Sequence, residues 1–323
     1  MRRDGSHPVG GVDYPRTLQE FDAWFATEQD CARYLKRLRW PEGFRCPGCG
    51  GQKAWVTARH LIHCACCQRQ TSLTAGTLFE GTRKPLRVWF QAMWYVTNQK
   101  LGVSALGLKR LLGLGSYQTA WAWLHKLRRA MVRPGRDLLK GRVEVDEAYV
   151  GGNEEGVYGR QTEDKAIVAI AVEVHSPKGF GRVRLRRVSD VSGSSLLAFV
   201  QEAVAPGAVV VTDGWRGYSG LSANGYRHER RNQASSGDPA HVVLPGPHRV
   251  ASLLKRWLLG THQGAVRLRH LDYYLDEYTF RFNRRSSLAR GLLFHRLMEQ
   301  AAHLAPVTYE KLLGGKVPRA MAG

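Results

Sequence analysis

Apolar positions recur at helical spacing over residues 14–40 and again from Leu86 to Arg129, and change to strand-like runs after about residue 140. Between Tyr14 and Pro41, the positions of Phe21, Trp24, Phe25, Tyr34, Leu35 and Leu38 predict two short helices, with Cys31 as a small core residue among them. Residues Leu86 to Asn98 predict a longer helix opened by Pro85, its apolar face formed by Trp89, Phe90, Met93, Trp94 and Val96. Val103 to Leu112 predicts a second helix, Gly113-Leu-Gly115 a turn, and Ser116 the cap of a third running through Arg129. Three short helices around a Gly-containing turn fit a helix-turn-helix; a plain helical connector fits the same pattern.

Arg133-Pro-Gly-Arg136 punctuates the change of pattern. Val143 to Glu147, Lys165 to Val174 and Gly181 to Val188 then read as strands. An amphipathic helix over Ser194 to Ala205 is stopped by Pro206-Gly207, and Val209 to Val211 is a short apolar strand of the kind buried in a sheet. Tyr226 to Asn232 offers a fifth strand, Gln233 to Asp238 a polar loop, and Ser252 to Leu259 a helix ended by Gly260-Thr-His-Gln-Gly264. Leu268 to Asn283 predicts a long helix with Leu271, Tyr274, Leu275, Tyr278 and Phe282 toward the core; residues after about 305 read as a loosely held tail. Three strands, a helix, a strand and a later helix is the order of an α/β domain of the RNase H-like (retroviral integrase-like) fold. The expected organisation is an N-terminal helical segment (1–43), a small metal-bound lobe (44–80), the helix-turn-helix-like region (85–135), the α/β domain (140–305) and the tail (306–323).

Five of the six cysteines lie between Cys46 and Cys67. Cys46 and Cys49 form one Cys-x-x-Cys knuckle and Cys64 and Cys67 a second, with 14 residues between them. Each knuckle presents two thiolates to one ion, so the pair predicts a closed, tetrahedral, structural Zn²⁺ site in a zinc ribbon. Cys66 leaves one alternative open, since it could replace Cys64 or Cys67. His60 and His63 read as hairpin residues rather than ligands.

The net charge of +21 changes the picture most. Such an excess of Lys and Arg favours a polyanionic partner, because each neutralised phosphate releases condensed counterions. The basic residues are spread along the chain with no isolated basic amphipathic helix, which favours nucleic acid over a membrane surface. On the helix-turn-helix reading, Gln118, Lys126, Arg128 and Arg129 would contact DNA; Arg256, Arg284 and Arg285 are further candidates, although Arg281-Phe-Asn-Arg-Arg285 also reads as a solvated helix end. No run reaches the roughly 18 apolar residues of a spanning helix. The N-terminus lacks the apolar core of a signal peptide, so the expected location is the cytoplasm, at the nucleoid.

The candidate chemistry lies in three separated residues. Asp146 sits in the strand Arg142-Val-Glu-Val-Asp-Glu-Ala-Tyr149, Asp213 ends the run Ala208 to Asp213, and His248 follows after 34 intervening residues. Two aspartates and a third ligand at such spacing, from strand, strand and helix, can hold two divalent cations for in-line displacement at a phosphodiester. The carboxylates suit Mg²⁺ or Mn²⁺, and a neutral imidazole at the third place shifts the preference toward Mn²⁺. Lys255, two helical turns beyond His248, would reach a phosphate beside the metals. Asp238 or Glu229 are alternative sources of a third acid.

Val143-Glu-Val-Asp-Glu-Ala-Tyr-Val-Gly-Gly152, Thr212-Asp-Gly-Trp-Arg-Gly-Tyr218, the run His248 to His262 and Tyr274-Leu-Asp-Glu-Tyr-Thr-Phe-Arg-Phe-Asn-Arg-Arg285 together resemble DDE-type insertion-sequence transposases, closest to insertion-sequence family 1595. The resemblance spans roughly residues 15 to 300. It implies DNA strand cleavage and transfer at the ends of an insertion sequence. Asp146 and Asp213 would be the first two catalytic acids, His248 would stand at a third position that admits Glu, Asn or His, and Lys255 would be the trailing lysine. Partners implied are terminal inverted repeats, target DNA and further copies of the chain in a dimer or larger assembly. A DNA-binding protein that has lost its chemistry, or a nuclease that cuts without joining, shares these features.

Overall fold

The computed structural model describes residues 7–59, 61–133, 135–151, 165–175, 177, 179–231 and 240–314, the last stretch without the side chains of residues 240 and 241. In chain order its helices are α1 (Leu18–Trp24), α2 (Glu28–Arg39), α3 (Leu86–Asn98), α4 (Ala105–Leu112), α5 (Tyr117–Ala130), α6 (Gly193–Ala203), α7 (Ala240–Val243), α8 (Pro245–His262), α9 (Leu271–Asn283), α10 (Arg290–His303) and α11 (Tyr309–Leu313). The strands are β1 (Ala54–Val56), β2 (Ile62–Cys64), β3 (Gln70–Thr71), β4 (Arg142–Val150), β5 (Ala166–Val174), β6 (Phe180–Val188), β7 (Val209–Thr212) and β8 (Arg227–Arg230). The contacts divide the chain into two units, one running up to Arg133 and resuming at Ser287, the other spanning Pro134–Ser286.

The first unit is helical around an aromatic core. Thr27 opens α2 with a reciprocal capping box to Asp30. Phe25 meets Phe90 at a ring separation of 4.8 Å, Phe21 meets Trp94 at 4.9 Å, and Trp89 stacks on Trp123 at 3.6 Å. Into this core α10 inserts Phe294, 5.6 Å from both Phe21 and Trp94. His295 Nδ1 lies 2.7 Å from the Tyr34 hydroxyl. Each aromatic pair contributes on the order of 1 kcal/mol beyond its buried area. This corrects the expected boundaries. The segment after residue 287 belongs to the helical unit rather than to the α/β domain, because Leu293, Phe294, Leu297 and Met298 need an apolar partner and find it there. Nor do residues 306–314 form a loose tail, since Val307 and Leu312 are buried and Trp121 meets Tyr309.

The zinc-ribbon segment is a three-stranded antiparallel sheet in the order β1-β2-β3. Arg39 extends from α2 to donate to the Ser72 and Leu73 carbonyls, tying the sheet's exit to the helical unit.

The second unit is a mixed five-stranded sheet in the order β6-β5-β4-β7-β8. β4 pairs antiparallel with β5 and parallel with β7; β5 pairs antiparallel with β6, and β7 parallel with β8. Strand alternation sorts the two faces. Val143 and Val145 join Leu196, Phe199 and Val200 of α6 in one core cluster. Ala148 and Val150 of β4, with Ile170 and Val172, pack against Val250 and Leu254 of α8 and Tyr274 and Tyr278 of α9 in the other. The expected inward set on α9, Leu271, Tyr274, Leu275, Tyr278 and Phe282, lies in that cluster. Both sheet edges are protected. Asn283 accepts from the Val183 N–H at 2.7 Å and donates to its carbonyl at 3.1 Å, covering β6 with a side-chain amide; β8 is short and charged. This topology is compatible with an RNase H-like fold.

The entry of α10 depends on a close approach. A Cβ built on Gly291 would stand 1.8 Å from the Pro15 carbonyl oxygen, which is backbone and cannot move aside. Gly291→Ala should therefore lower stability by about 3 kcal/mol, read as a lower urea midpoint at unchanged slope. An unchanged midpoint would show that the α10 contact is not as close as described.

Candidate metal-dependent active site

The β4–β7 ladder determines which residues meet. Arg142, Val143 and Glu144 pair with Val209, Val210 and Val211. Continued by two residues, this register sets Asp146 level with Asp213, which follows β7 directly. Adjacent strands stand about 4.8 Å apart and residues two apart share a face, so Glu144, Asp146, Val211 and Asp213 all belong to the face covered by α7 and α8. Val211 packs there against Val243 and Leu244. Asp146 is 16% exposed and its Oδ1 accepts from the Glu147 N–H at 2.8 Å; Asp213 Oδ1 accepts from the Trp215 N–H at 2.9 Å.

His248 reaches this face from α8. Its Nε2 lies 3.5 Å from Asp146 Oδ2. The helix starts seven residues before the predicted Ser252, and it continues through Gly260 to Gln263, whose left-handed φ of 51° caps it. The early start has a chemical cause in Pro245-Gly-Pro247. Proline is favoured in a first helical turn because it has no N–H to leave unsatisfied. Gly246 alone of these three has an N–H, and it donates to Glu144 Oε2 at 2.8 Å. Gly246 is required by the close approach, because a Cβ there would lie 2.8 Å from that oxygen and 3.2 Å from Val172. Burial raises the pKa of the Glu144 carboxyl, opposed by the Gly246 N–H and by the charges of Arg231 and Arg142. Lys255 and Arg256 are exposed farther along α8.

On the other face, the Tyr218 hydroxyl donates to Glu147 Oε1 at 2.6 Å. Tyr218 is buried, and its pKa is raised well above the ordinary value by burial, then by the charge of and hydrogen bond to Glu147, then by the charges of Asp146 and Asp213. Tyr218 thus ties the loop after Asp213 to the residue beside Asp146. Glu144, Glu147 and Tyr218 were not among the candidates read from sequence. The signal for Glu144 is visible in retrospect, as an acid two positions before Asp146 in an otherwise apolar strand.

The alternative acids fare differently. Glu229 is engaged elsewhere: its Oε2 pairs with Arg142 at 2.8 Å, which holds its pKa below the usual carboxylate range. Asp238 lies outside the described residues, as do His60 and Gly152.

Among the described residues, the one group of three or more potential ligands gathered within 4.8 Å is Cys46, Cys49, Cys64 and Cys67. The Sγ atoms of Cys46 and Cys67 are 3.5 Å apart, and those of Cys49 and Cys64 are 3.6 Å apart. Tetrahedral Zn–S bonds of about 2.3 Å require sulfurs about 3.8 Å apart, so the set fits Zn²⁺. Backbone donors favour the Cys46 and Cys64 thiolates; at Cys49 the Gly51 N–H acts in the same direction, but the neighbouring thiols of Cys67 and Cys64 push the group up to about 12. The Cys67 N–H leads in lowering Cys64 to about 6, and the Gly48 N–H lies 3.4 Å from Cys46 Sγ. Cys66 lies outside the cluster, which favours the outer pair as the ligands. His63 stacks on Trp55 instead of joining the ligands.

One expected DNA contact is corrected, and other candidate residues make contacts within the chain. Arg128 is 1% exposed and stands beside His125, so it cannot meet phosphate. Arg129 donates to the Ala305 carbonyl, and burial lowers the pKa of Lys126, with Arg129 adding to the effect. Helix α5 is buried on most sides and forms part of the helical core; Gln118 in its first turn is exposed, and Lys126 and Arg129 are half-buried. Arg284 lies over Phe280 and donates to its carbonyl. Arg285 lies over Phe282 and donates to the carbonyls of Gly181, Phe282 and Phe180 at the β6 edge. No helix of the described residues is long and apolar enough to cross a membrane.

Zinc content separates the cysteines. Wild type and Cys66→Ser should each retain about one zinc ion per chain by atomic emission, whereas Cys64→Ser should retain well under half of that. Equal loss in both variants would contradict the assigned ligand set.

Comparison with known proteins agrees with this division of labour. Residues 138–283 match the ISXO2-like transposase domain, and residues 26–70 match the transposase zinc-ribbon domain. The chain is 29% identical over 283 residues to an uncharacterized protein in transposable element ISH50 of Halobacterium salinarum, covering 80% of this chain and 91% of that protein. It is also 29% identical over 96 residues to an uncharacterized transposase-like protein of Haemophilus influenzae, covering 30% of this chain and 76% of that one. With a four-cysteine ribbon preceding a sheet that carries Asp146 and Asp213 on one face, both matched domains are present in order, and the chain belongs to insertion-sequence family 1595 of the transposases.

Proposed function

We propose that this chain cuts DNA at the ends of its own insertion sequence and joins the cut ends to a second duplex. The observation that carries the reading is the approach of His248 Nε2 to within 3.5 Å of Asp146 Oδ2, on a strand whose register with β7, continued by two residues, sets Asp213 level with Asp146. Asp146, Asp213 and His248 are the residues that would hold divalent cations. When bound, such ions polarise the scissile phosphodiester and make water or a 3′-hydroxyl a better nucleophile. The two aspartates offer hard oxygens suited to Mg²⁺ or Mn²⁺, and the imidazole favours Mn²⁺.

In the cleavage step, a water oxygen bonds to phosphorus as the bond from phosphorus to the 3′-oxygen breaks. Of the two water protons one passes to solvent and one is taken up by the released 3′-oxygen, so that a 3′-hydroxyl and a 5′-phosphate remain. In the joining step that 3′-hydroxyl attacks a phosphodiester of the target; its proton passes to solvent, from which the target's own leaving 3′-oxygen takes one up. Lys255, exposed on α8, holds phosphate near these atoms, and Arg256 tracks the backbone beside it. The net charge of +21 supports a duplex DNA partner, and the zinc ribbon with Gln118 at the open start of α5 supplies recognition of the terminal inverted repeats. Both ends must be held together for joining, so the working form is a dimer or larger assembly. The expected location is the cytoplasm, on the nucleoid.

The test is cleavage and strand transfer on DNA carrying the element's ends, with Mg²⁺ or Mn²⁺. Wild type should cut and join, with higher activity in Mn²⁺; Asp146→Ala and Asp213→Ala should each lose about 10³-fold or more, and His248→Ala should be severely reduced. Cutting without joining would identify a nuclease. Binding without cutting by wild type, with cutting restored in His248→Glu, would identify a DNA-binding protein that has lost its chemistry.

A further inference from the structure

We propose that Glu144 is a positioning residue, capping the Pro245-Gly-Pro247 start of α8 from the neighbouring sheet and thereby setting His248 against Asp146. The inference rests on reading Asp146 and His248 as partners in one site.

Three observations carry it. First, α8 has no cap of its own, because Leu244 at its N-cap offers no side-chain acceptor. Among Pro245, Gly246 and Pro247 there is a single N–H, and that donor is spent on Glu144 Oε2 at 2.8 Å, from a residue 102 positions away in sequence. Second, Glu144 is 2% exposed, so its carboxylate has no bulk water to satisfy it and depends on such partners. Third, the approach leaves no slack. A Cβ on Gly246 would meet both Glu144 Oε2 and Val172, which fixes how near the helix start lies to β4 and β5.

The consequence follows from spacing. Glu144 and Asp146 are two apart on one strand and share a face; Gly246 and His248 are two apart at one helix start. The bond between Glu144 and Gly246 therefore acts as the pin one step below the approach of His248 to Asp146. A carboxylate at a helix start also complements the partial positive charge of the exposed N–H groups there. Loss of the pin leaves the fold of the sheet intact but lets the first turn of α8 drift, and displacement of about 1 Å at a reacting centre costs on the order of 100-fold in rate.

The experiment compares the full-length chain with Glu144→Gln, Glu144→Leu and Gly246→Ala. Amide hydrogen exchange of the peptide spanning the first turn of α8 is measured with that of α9 as internal reference. Cleavage is measured at saturating end DNA, alongside affinity for that DNA. Glu144→Leu should speed exchange in the first turn of α8 about tenfold with α9 unchanged, and slow cleavage about 100-fold at unchanged DNA affinity. Glu144→Gln, which keeps an oxygen acceptor, should recover most of both losses. Gly246→Ala, which moves the same helix start by crowding, should reproduce the cleavage defect even where Glu144→Leu folds poorly. Unchanged exchange at α8 in Glu144→Leu would overturn the cap. Faster exchange with undiminished cleavage would overturn the positioning role. Absence of cleavage by wild type would sink the functional reading alone, and α8 exchange would still decide whether Glu144 holds the helix.

Discussion

The parallel pairing of β4 with β7 is the contact on which the candidate site depends. It sets the register that brings Asp146 level with Asp213, although 66 residues separate them in sequence. A slip by one residue would turn one of the two carboxylates to the opposite face, where α6 packs. Two apolar clusters guard against that slip. Val143 and Val145 are buried toward α6, while Ala148 and Val150 are buried toward α8 and α9. The alternation along a single strand thus commits both faces at once. The candidate site sits where the hydrophobic pattern of β4 is interrupted by acids.

Each element around that ladder contributes a restraint of a different kind. The loop after Asp213 is tied by Tyr218 to Glu147, and α8 is tied by Gly246 to Glu144. Both ties end on β4 residues flanking Asp146, one from each face of the sheet. A metal-dependent site needs this, since two carboxylates repel one another until cations arrive, and the surrounding structure must hold them in place meanwhile. The ribbon meets a similar difficulty by another route. Its three short strands bury few apolar side chains, with Phe44, Cys46, Ile62 and Cys64 forming the whole buried cluster, so four thiolates and one zinc ion supply what the core cannot.

Much of this organisation was legible in the sequence, and what was legible shares a cause. The strands from β4 to β7, the cap at Ser116 and the Cys-x-x-Cys knuckles are local patterns, written within a few residues of where they act. The features that escaped are non-local. The place of α10 in the helical unit depends on a groove between helices more than 190 residues upstream. The burial of Arg128 could not be told from exposure by charge alone, because α5 is covered on more sides than an amphipathic stripe implies. The anchoring of Arg285 to carbonyls at the β6 edge is likewise non-local, joining residues about 100 positions apart. The start of α8 lies seven residues before Ser252 because Pro and Gly, poor in a helix interior, are tolerated in a first turn, where Glu144 accepts from the Gly246 N–H.

The central claim, that Asp146, Asp213 and His248 form one divalent-cation site, is tested most directly by where the ion binds. Crystals of the chain with end DNA and Mn²⁺, measured on both sides of the manganese absorption edge, report ion position independently of turnover. The predicted result is anomalous density in contact with the carboxylates of Asp146 and Asp213, lost in Asp213→Ala while the zinc density at the four cysteines remains. Manganese bound elsewhere beside the scissile phosphate, with the two aspartates unoccupied, would contradict it.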